Sequence, residues 1–529
     1  MPSDCISYQK SGYFSKLIVD YLNQEPNLQS LYNRFPTMGN FENQILEKKD
    51  NFDSTHRTTL VSVLKKQYET TTASALTTQN IEVLSQPNTF TVTTGHQLNL
   101  FTGPLYFLYK IISTINLTKD LKEKYPSYNF VPMYWMATED HDFEEINYFS
   151  FKGKKIRWNK ESKGSVGRLS TEGLDKVLDA FALELGSGNN AGTIKQLFHD
   201  AYLNHPTLTD ATRYLANALF GEYGIVILDA DNTDLKREFI PFIKDELLHQ
   251  TSKKCVSETT EKLKEYAIQV NPREINLFYL EDGLRERIIL EDAIYKVNNT
   301  SIQFTETEIL ALLEAHPEKF SPNVIMRPLY QEVVLPNLCY IGGGGEIAYW
   351  LELKSYFDTV NITFPILLLR NSVLLVTDKQ SGKAEKLALT WEDLFARQED
   401  LLNQKVKVFS EFPINFSQQK NFLKKQFEDL HRIAIQTDKS FLGAVHAQQA
   451  KQLKGLEHLQ KRLLIAQKRK YSSELERITG LQNELFPNHG LQERTANFSE
   501  YYLESGNELI KKLTEQLQPL ETNFSIVTL

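Results

Sequence analysis

Cysteine is scarce: Cys5, Cys255 and Cys339 are the only three in 529 residues. They are scattered and odd in number, with no CxxC and no Cys/His cluster, so neither a disulfide framework nor a structural zinc site is expected. A reducing cytosol suits such a chain best. Long apolar runs are also missing. The most apolar stretch, Phe101 to Leu117, carries Pro104 and Lys110 and is too short to span a bilayer. The opening MPSDCISYQK lacks the basic start and apolar run of a secretory signal. A cytoplasmic protein without a membrane partner is expected. Nor is there an excess of positive charge: the net charge is −8 and the pI is near 5.9, which argues against a general nucleic-acid or anionic-membrane binder. What remains, 41% hydrophobic and 24% charged residues, is the balance of a soluble globular protein. Its length calls for two to four structural units.

Residues 1–88 carry apolar positions at helical spacing in YFSKLIVDYL and LVSVLKKQY. TFTVTTG then reads as a strand, followed by a helix starting near Gly103, with Thr102 as N-cap and Pro104 in the first turn. Leu105, Leu108, Ile111, Ile112 and Ile115 are its buried stripe. FVPMYWMAT (130–138) is a second strand, stopped by EDHD. Strand, helix and strand over 89–145 make a βαβ unit and a parallel sheet. Residues 146–210 read as an insertion, with a hairpin in INYFSFKGKKIRWN and an exposed loop at LGSGNNAG. The α/β pattern resumes over 211–255 with the strand IVILDA. A second insertion, 256–320, suggests short antiparallel strands and a helix capped by Thr305 and Glu308. Residues 321–390 complete the core with LCYIGGGG and FPILLLR. From 391 to 490 Gln, Lys, Glu and Leu dominate. Leu456, Leu459, Leu463 and Ala466 are spaced 3, 4, 3, and the stripe runs on from Tyr471 to Leu485 with one phase slip. The spacing predicts a helix over 438–485, about 70 Å long, with 415–436 as its antiparallel partner in a coiled coil. The stripe exceeds what that partner can cover, which predicts a homodimer. Residues 491–529 return to the core and end in the strand-like FSIVTL.

Three polar or glycine-rich loops fall at strand ends, where open parallel sheets place their ligands. In GHQLNLFTGP, Gly95 permits a tight turn and the helix after Gly103 offers free N–H groups to an anion. His96 or Gln97 would then be donors; the plain alternative is a βα turn. Neither a Walker A motif nor GxGxxG is present. In EDHD, Glu139, Asp140, His141 and Asp142 could orient a Mg²⁺–phosphate complex, bind an ammonium, or place His141 as an acid/base. They could equally cap the next helix. One clustered imidazole without a thiolate does not make a transition-metal site. Gly342 to Gly345 leave the backbone bare for a close ligand, or form a flexible turn into a helix at Glu346. Arg327 and Arg370 suit carboxylate or phosphate pairing. Cys339, in a β-like run, reads as a buried thiol rather than a nucleophile.

With these loops in view, the chain resembles the BshC family, the cysteine-adding enzyme of bacillithiol biosynthesis. The matching stretches are TGHQLNLFTGPLYFLYKI, VPMYWMATEDHDFEEIN, GRL (167–169), MRPLYQEVVLPNLCYIGGGGEIAYW and FPILLLRNS, in family order over about 280 residues. The resemblance implies an α/β fold: a Rossmann-type parallel sheet core with inserted connecting segments, loosely similar to class I aminoacyl-tRNA synthetases, and a C-terminal α-helical coiled-coil domain that pairs subunits. It implies amide formation between cysteine and glucosaminyl-malate. ATP, with Mg²⁺, is inferred from the chemistry, because amide formation from a free carboxylate is uphill. Under this reading His96, Asp140, His141 and Asp142 carry the chemistry, with His96 and His141 close together. Gly95, Gln97, Thr102, Gly103 and Gly342, Gly343, Gly344 and Gly345 hold the nucleotide. Glu139, Arg327, Asn337, Glu346 and Arg370 hold substrates, and no resident metal is expected. The chain departs from the synthetase pattern in reducing its two-histidine signature to TGHQ and in lacking a lysine-serine loop. Gly344 also stands where this family would carry proline. A competing reading makes the basic face of Lys439, Lys451, Lys454, Lys461, Arg462, Lys468, Arg469 and Lys470 an RNA-binding surface, although a solvated or partner-facing surface explains it as well. A third makes the chain a non-catalytic scaffold. No nucleic-acid partner is expected.

Overall fold

The computed structural model describes residues 4–529. Five apolar or β-branched runs become the strands β1 (Thr89–His96), β2 (Asn129–Met136), β3 (Val226–Asp229), β4 (Asn337–Gly342) and β5 (Ile366–Leu369). All pair in parallel, in the order β3-β2-β1-β4-β5. Every residue of β1 is buried, which is why these strands read as continuous apolar runs without alternation. The chain builds β1, β2 and β3 in one direction, then returns to the other side of β1 for β4 and β5. The resulting switch point lies between β1 and β4. There Thr94 pairs with Ile341, so Gly95 and Gly342 follow side by side at the carboxyl ends.

Helix α1 (Tyr106–Lys124) crosses from β1 to β2 and buries the expected stripe. Its start differs from the sequence reading. Thr102 is not the N-cap; Leu105 holds that position without a side-chain bond. Leu100–Thr102 instead forms a tight turn in which Phe101, Thr102 and Gly103 take φ of 48°, 66° and 62°. Left-handed backbone at two non-glycine residues persists only where surroundings over-determine it. Here the Phe101 ring lies 5.1–5.5 Å from those of Phe149, Phe181, Phe198 and Phe498. Phe101 N donates to the Tyr202 hydroxyl oxygen at 2.7 Å, and Asn497 Nδ2 donates to the carbonyls of Phe101 and Gly103 at 2.8 and 2.6 Å.

The first insertion opens with the predicted hairpin, Tyr148–Phe151 against Lys154–Arg157. LGSGNNAG is not a long loop: helix Asn189–Tyr202 starts inside it, leaving Gly186–Gly188 as the turn. The second insertion forms a separate five-stranded antiparallel sheet, and Thr305 and Glu308 make the expected capping box. FSIVTL lies in the strand Asn523–Thr528, which pairs with Val373–Val376 and with an unpredicted N-terminal strand, Asp4–Ser7.

The chain divides into two compact units. One comprises Met1–Gln9, Tyr13–Val376 and Gly490–Leu529; the other comprises Lys10–Gly12 and Thr377–His489. The helical unit thus begins before residue 391, because Lys383 and Gln380 bond Glu484 within it. Helix α2 (Arg327–Val334) and helix α3 (Gly344–Leu351) flank β4 in the first unit. In the second, α4 (Ser417–Ile435) packs against α5 (Lys439–Lys470) around Phe427, Ala434 and Val445. The helix expected to run unbroken to residue 485 stops at Tyr471, where the stripe slips phase, and α6 (Ser472–Leu485) continues. The 32 residues of α5 span about 48 Å. Most of its basic residues are exposed, and Lys470 pairs with Glu411 at 3.0 Å. Among the described residues no helix is long and apolar enough to cross a membrane.

Lys48 and Glu332 form a fully buried ion pair, 2.9 Å apart. Glu332 also accepts from Gln331 Nε2 and Asn337 Nδ2 at 3.0 and 2.7 Å, so the pair ties helix Asn40–Asn51 to α2 and β4. Removing one partner strands the other charge. Lys48→Met is expected to lower unfolding stability by about 3–5 kcal/mol, measured by urea denaturation; a loss below about 1 kcal/mol would show that the pair does not hold this junction.

Candidate active site

The floor of the switch point is built around Lys110 on α1. Its Nζ donates to Gly95 O at 2.7 Å and meets Glu346 Oε2 at 2.5 Å. Glu346, in the first turn of α3, accepts from Gly343 N at 2.9 Å and from the Tyr340 hydroxyl at 2.6 Å. Burial opposes ionisation of Glu346, but Lys110 and these donors outweigh it and hold the carboxyl below its usual range. Burial lowers the Lys110 ammonium, with Glu346 opposing. A Cβ at Gly95 would lie 3.2 Å from the Tyr340 hydroxyl and 3.7 Å from Arg327 Nη1. Arg327 bonds Gln331 Oε1 at 3.1 Å and the Tyr349 hydroxyl at 3.3 Å. Arg370 directs both terminal nitrogens to Glu493, at 3.1 and 2.7 Å. Its Nε is buried without a partner and lies 3.7 Å from where a Cβ of Gly343 would be.

The second group follows β2 and β3. Gln97 Nε2 donates to Asp140 Oδ2 at 2.9 Å and to Glu145 Oε2 at 3.0 Å, linking the loop after β1 to the loop after β2. Asp140 Oδ1 accepts from His141 N at 2.7 Å. Arg285 Nη1 donates to His141 Nδ1 at 2.7 Å while its guanidinium lies 4.0 Å from the Phe278 ring. A guanidinium cannot accept, so the imidazole proton sits on Nε2. His141 therefore presents a donor in this arrangement, not the proton acceptor that a general base requires. Burial and then Arg285 lower its pKa. Glu139 pairs with the buried Lys236, and burial raises its carboxyl. Asp231 takes two bonds from Arg168, at 2.8 and 3.0 Å. Asp229 is raised to about 6, first by burial and then by Asp231. Gly167 N bonds Thr138 O at 2.9 Å, and a Cβ there would come within 2.6 Å of Thr209 Oγ1; GRL thus anchors the carboxylate loop.

The predicted residues divide accordingly. Gly95, Gly343, Glu346, Arg327 and Arg370 meet at the switch point, and Gln97, Glu139, Asp140 and His141 gather beside it. Gly342 is closely packed, with a Cβ there 2.9 Å from Glu346 Cβ, while a Cβ on Gly344 would face Ile18 and Gly345 is exposed. The four glycines lead directly into α3 rather than forming a loose turn. Asp142 precedes a short helix without capping it through its side chain. His96 is buried against Tyr106 and Phe107 and held neutral, its pKa driven down to about 3 by burial and Lys110. The charged groups that act on it, Lys110, Glu346 and Arg370, are not those that act on His141. Thr102 and Gly103 are turned into the protein, and Leu105 N bonds Ala496 O at 2.9 Å, so the start of α1 is covered by the C-terminal segment. Asn337 stands at the opposite end of β4 from Gly342, fully buried and bonded to Thr91, Thr93 and Glu332; it supports the core. Cys339 is buried and its thiol pushed well up by that burial. Lys110, Arg168, Lys236, Arg285, Tyr340 and Glu493 were not foreseen as site residues. Lys110 left a signal, as the charge interrupting the apolar run of α1. Among the described residues no group of three His, Cys, Asp or Glu side chains could hold a metal ion.

A parallel β3-β2-β1-β4-β5 sheet with its polar groups at the β1/β4 crevice defines a Rossmann-type α/β protein. Family models agree and go further. Residues 1–371 match "Bacillithiol biosynthesis BshC, N-terminal Rossmann-like domain" and residues 373–529 match "Bacillithiol biosynthesis BshC, C-terminal coiled-coil domain". The chain belongs to the BshC family. It is 67% identical over 529 residues, all of both chains, to a protein of Flavobacterium johnsoniae named "Putative cysteine ligase BshC". Proteins given the same name in Flavobacterium psychrophilum and Cytophaga hutchinsonii are 64% and 39% identical, covering 100% and 98% of this chain and 99% and 98% of their own.

The contact between Arg285 and His141 generates a titration test. Removing the cation removes a cause that lowers the imidazole pKa. Arg285→Met is therefore expected to raise the His141 midpoint, so that the ring stays protonated to higher pH. NMR titration of labelled histidine measures this; an unmoved or lower midpoint would refute the electrostatic assignment.

Proposed function

We propose that this chain is a cytoplasmic ligase joining the carboxyl group of cysteine to the amino group of glucosaminyl-malate, with ATP as the activating nucleotide. The observation carrying this reading is the crevice between β1 and β4. It has close-approach backbone at Gly95 and Gly343, and a buried guanidinium Nε at Arg370 that lacks a partner. An unpaired buried donor beside bare backbone suits an anionic oxygen. Gly95, Gly343, Arg327 and Arg370 would hold the nucleotide, accompanied by Mg²⁺. When bound it supplies activation of the cysteine carboxyl, without which the amide does not form. Asp140, bonded to Gln97 at the crevice edge, suits the ammonium of an amine-bearing substrate. His141 Nε2 and Arg285 would act as donors to the negative charge that builds on the reacting carboxyl group. A preorganised donor of this kind is typically worth about 10²–10³ in rate.

The same reading includes a homodimer. Ile433, Ile435, Leu459 and Ile465 on α4 and α5 are 51–70% exposed in the single chain, and a second copy of the hairpin is the occupant we propose for them.

Incubation with cysteine, glucosaminyl-malate and ATP is expected to yield the thiol product, with AMP or ADP identifying the mode of activation. His141→Ala is expected to fold and to lose about 10²–10³ in kcat; wild-type turnover would remove His141 from the chemistry. Light scattering is expected to report a dimer that Ile433→Glu with Ile465→Glu converts to a monomer. A monomeric wild type, or an unchanged dimer in the variant, would exclude this interface.

A further inference from the structure

Amide formation needs a group that takes a proton from the attacking nitrogen. His141 does not provide it, because the bond from Arg285 leaves the imidazole proton on Nε2. Four carboxylates are at least partly buried at the ends of β2 and β3: Glu139, Asp140, Asp229 and Asp231. Three of them are committed. Lys236 holds Glu139, Gln97 and His141 N occupy the two oxygens of Asp140, and Arg168 takes both oxygens of Asp231.

Asp229 differs. It closes β3 opposite Met136 of β2, at the carboxyl ends of the strands. Its Oδ1 accepts from the Thr138 hydroxyl at 2.5 Å and from Asp231 N at 3.0 Å. Thr138 leads into the loop of Asp140 and His141, so the first bond ties Asp229 to that loop. Among the described residues no cation is bonded to Asp229 and no donor to Oδ2, and the residue is only partly buried. That oxygen is open to a guest. β3 is two strands, about 10 Å, from β1, so an amino sugar spans the distance between Asp229 and the crevice. Asp231 follows Asp229 in the chain, Arg213 acts on it from helix Leu208–Phe220, and Tyr330 approaches from α2, its hydroxyl donating to Ala230 O at 2.9 Å. Burial and then Asp231 raise the carboxyl to about 6, with Arg213 opposing. Such a carboxylate is ionised at neutral pH and can take a proton from nitrogen once bond formation has made that nitrogen acidic.

We propose that Asp229 is the general base of amide formation, its Oδ2 accepting the proton of the attacking amine. The proposal rests on the ligase reading and deepens it by naming the proton acceptor. The amine nitrogen attacks the carbonyl carbon of the activated cysteine carboxyl, and the C–N bond forms. The C–O bond to the activating group breaks, and its electron pair leaves on that oxygen. The proton lost from nitrogen passes to Asp229 Oδ2 and from there to water.

Steady-state turnover of the full chain, read against pH, tests this. The wild type is expected to lose kcat/KM as pH falls through about 6, because protonation removes the acceptor. Asp229→Asn keeps an oxygen for Thr138 and for Asp231 N. It is expected to lose at least about a hundredfold in kcat, the low end for a general base, with KM for the amine little changed and the acid-side fall abolished. Thr138→Val removes only a bond that lowers the Asp229 carboxyl, and guards against misfolding in the first variant. It is expected to move the acid-side midpoint to higher pH. Carbon NMR of labelled aspartate in the free protein, which needs no turnover, is expected to show the same midpoint and the same upward move. An Asp229→Asn enzyme with wild-type kcat or an intact acid-side fall, or an Asp229 carboxyl titrating at the ordinary aspartate value, would overturn the base assignment. Amide formation by the wild type in those cases leaves the ligase reading standing. A wild type that forms no amide overturns the ligase reading and the base with it.

Discussion

A lysine buried at the head of the first crossover helix constrains everything around it. An ammonium in that position is tolerable only if its charge is answered and its hydrogens are used. Glu346 answers the charge, and the Gly95 carbonyl takes a hydrogen bond. The same carboxylate also holds the first turn of the helix after β4 and the hydroxyl of Tyr340. One ion pair thus fastens the two sides of the switch point, and side chains on these elements inherit their positions from it. Arg327 is fixed from behind through Gln331, which also bonds Glu332, the partner of Lys48. A continuous line of buried polar contacts therefore runs from the N-terminal helices to the crevice.

The two halves of the candidate site differ in electrostatic logic. At the switch point positive groups are largely matched by carboxylates, and the donor left over is a single guanidinium nitrogen. Beside it, carboxylates crowd the ends of β2 and β3, and Lys236, Arg168 and Arg285 are set among them. Burial raises Glu139 and Asp229, whereas Asp231, surrounded by Lys236 and Arg168, is held low despite its burial. Neighbouring acids driven in opposite directions are a common feature of sites that handle protons.

The parallel core was legible because its strands are apolar on both faces and end in glycine or acidic loops. That pattern was enough to locate Gly95, Asp140 and Gly343 at strand ends. What stayed hidden came from distant segments. Arg285 belongs to an inserted sheet and Glu493 to the C-terminal segment, and no local pattern joins either to the loop it completes. The start of α1 misled for a similar reason: a Thr-Gly-Pro sequence normally begins a helix, but aromatic packing around Phe101 and the amide of Asn497 impose a left-handed turn. The stripe in the helical unit correctly indicated paired helices, and its phase slip at Tyr471 was the visible trace of a break. Asn337 shows the converse error, a polar residue near a glycine run that serves only the core.

Arg370 reaches Glu493 across 123 positions, and Asn497 reaches the carbonyls of Phe101 and Gly103 across 396 and 394. These closures involve buried charge and strained backbone, so neither end is comfortable before the other arrives. On a ribosome the first strands and helices would emerge long before their supports. The crevice would then be one of the last parts of the molecule to set, and a nick near residue 490 would disturb it while leaving the parallel sheet in place.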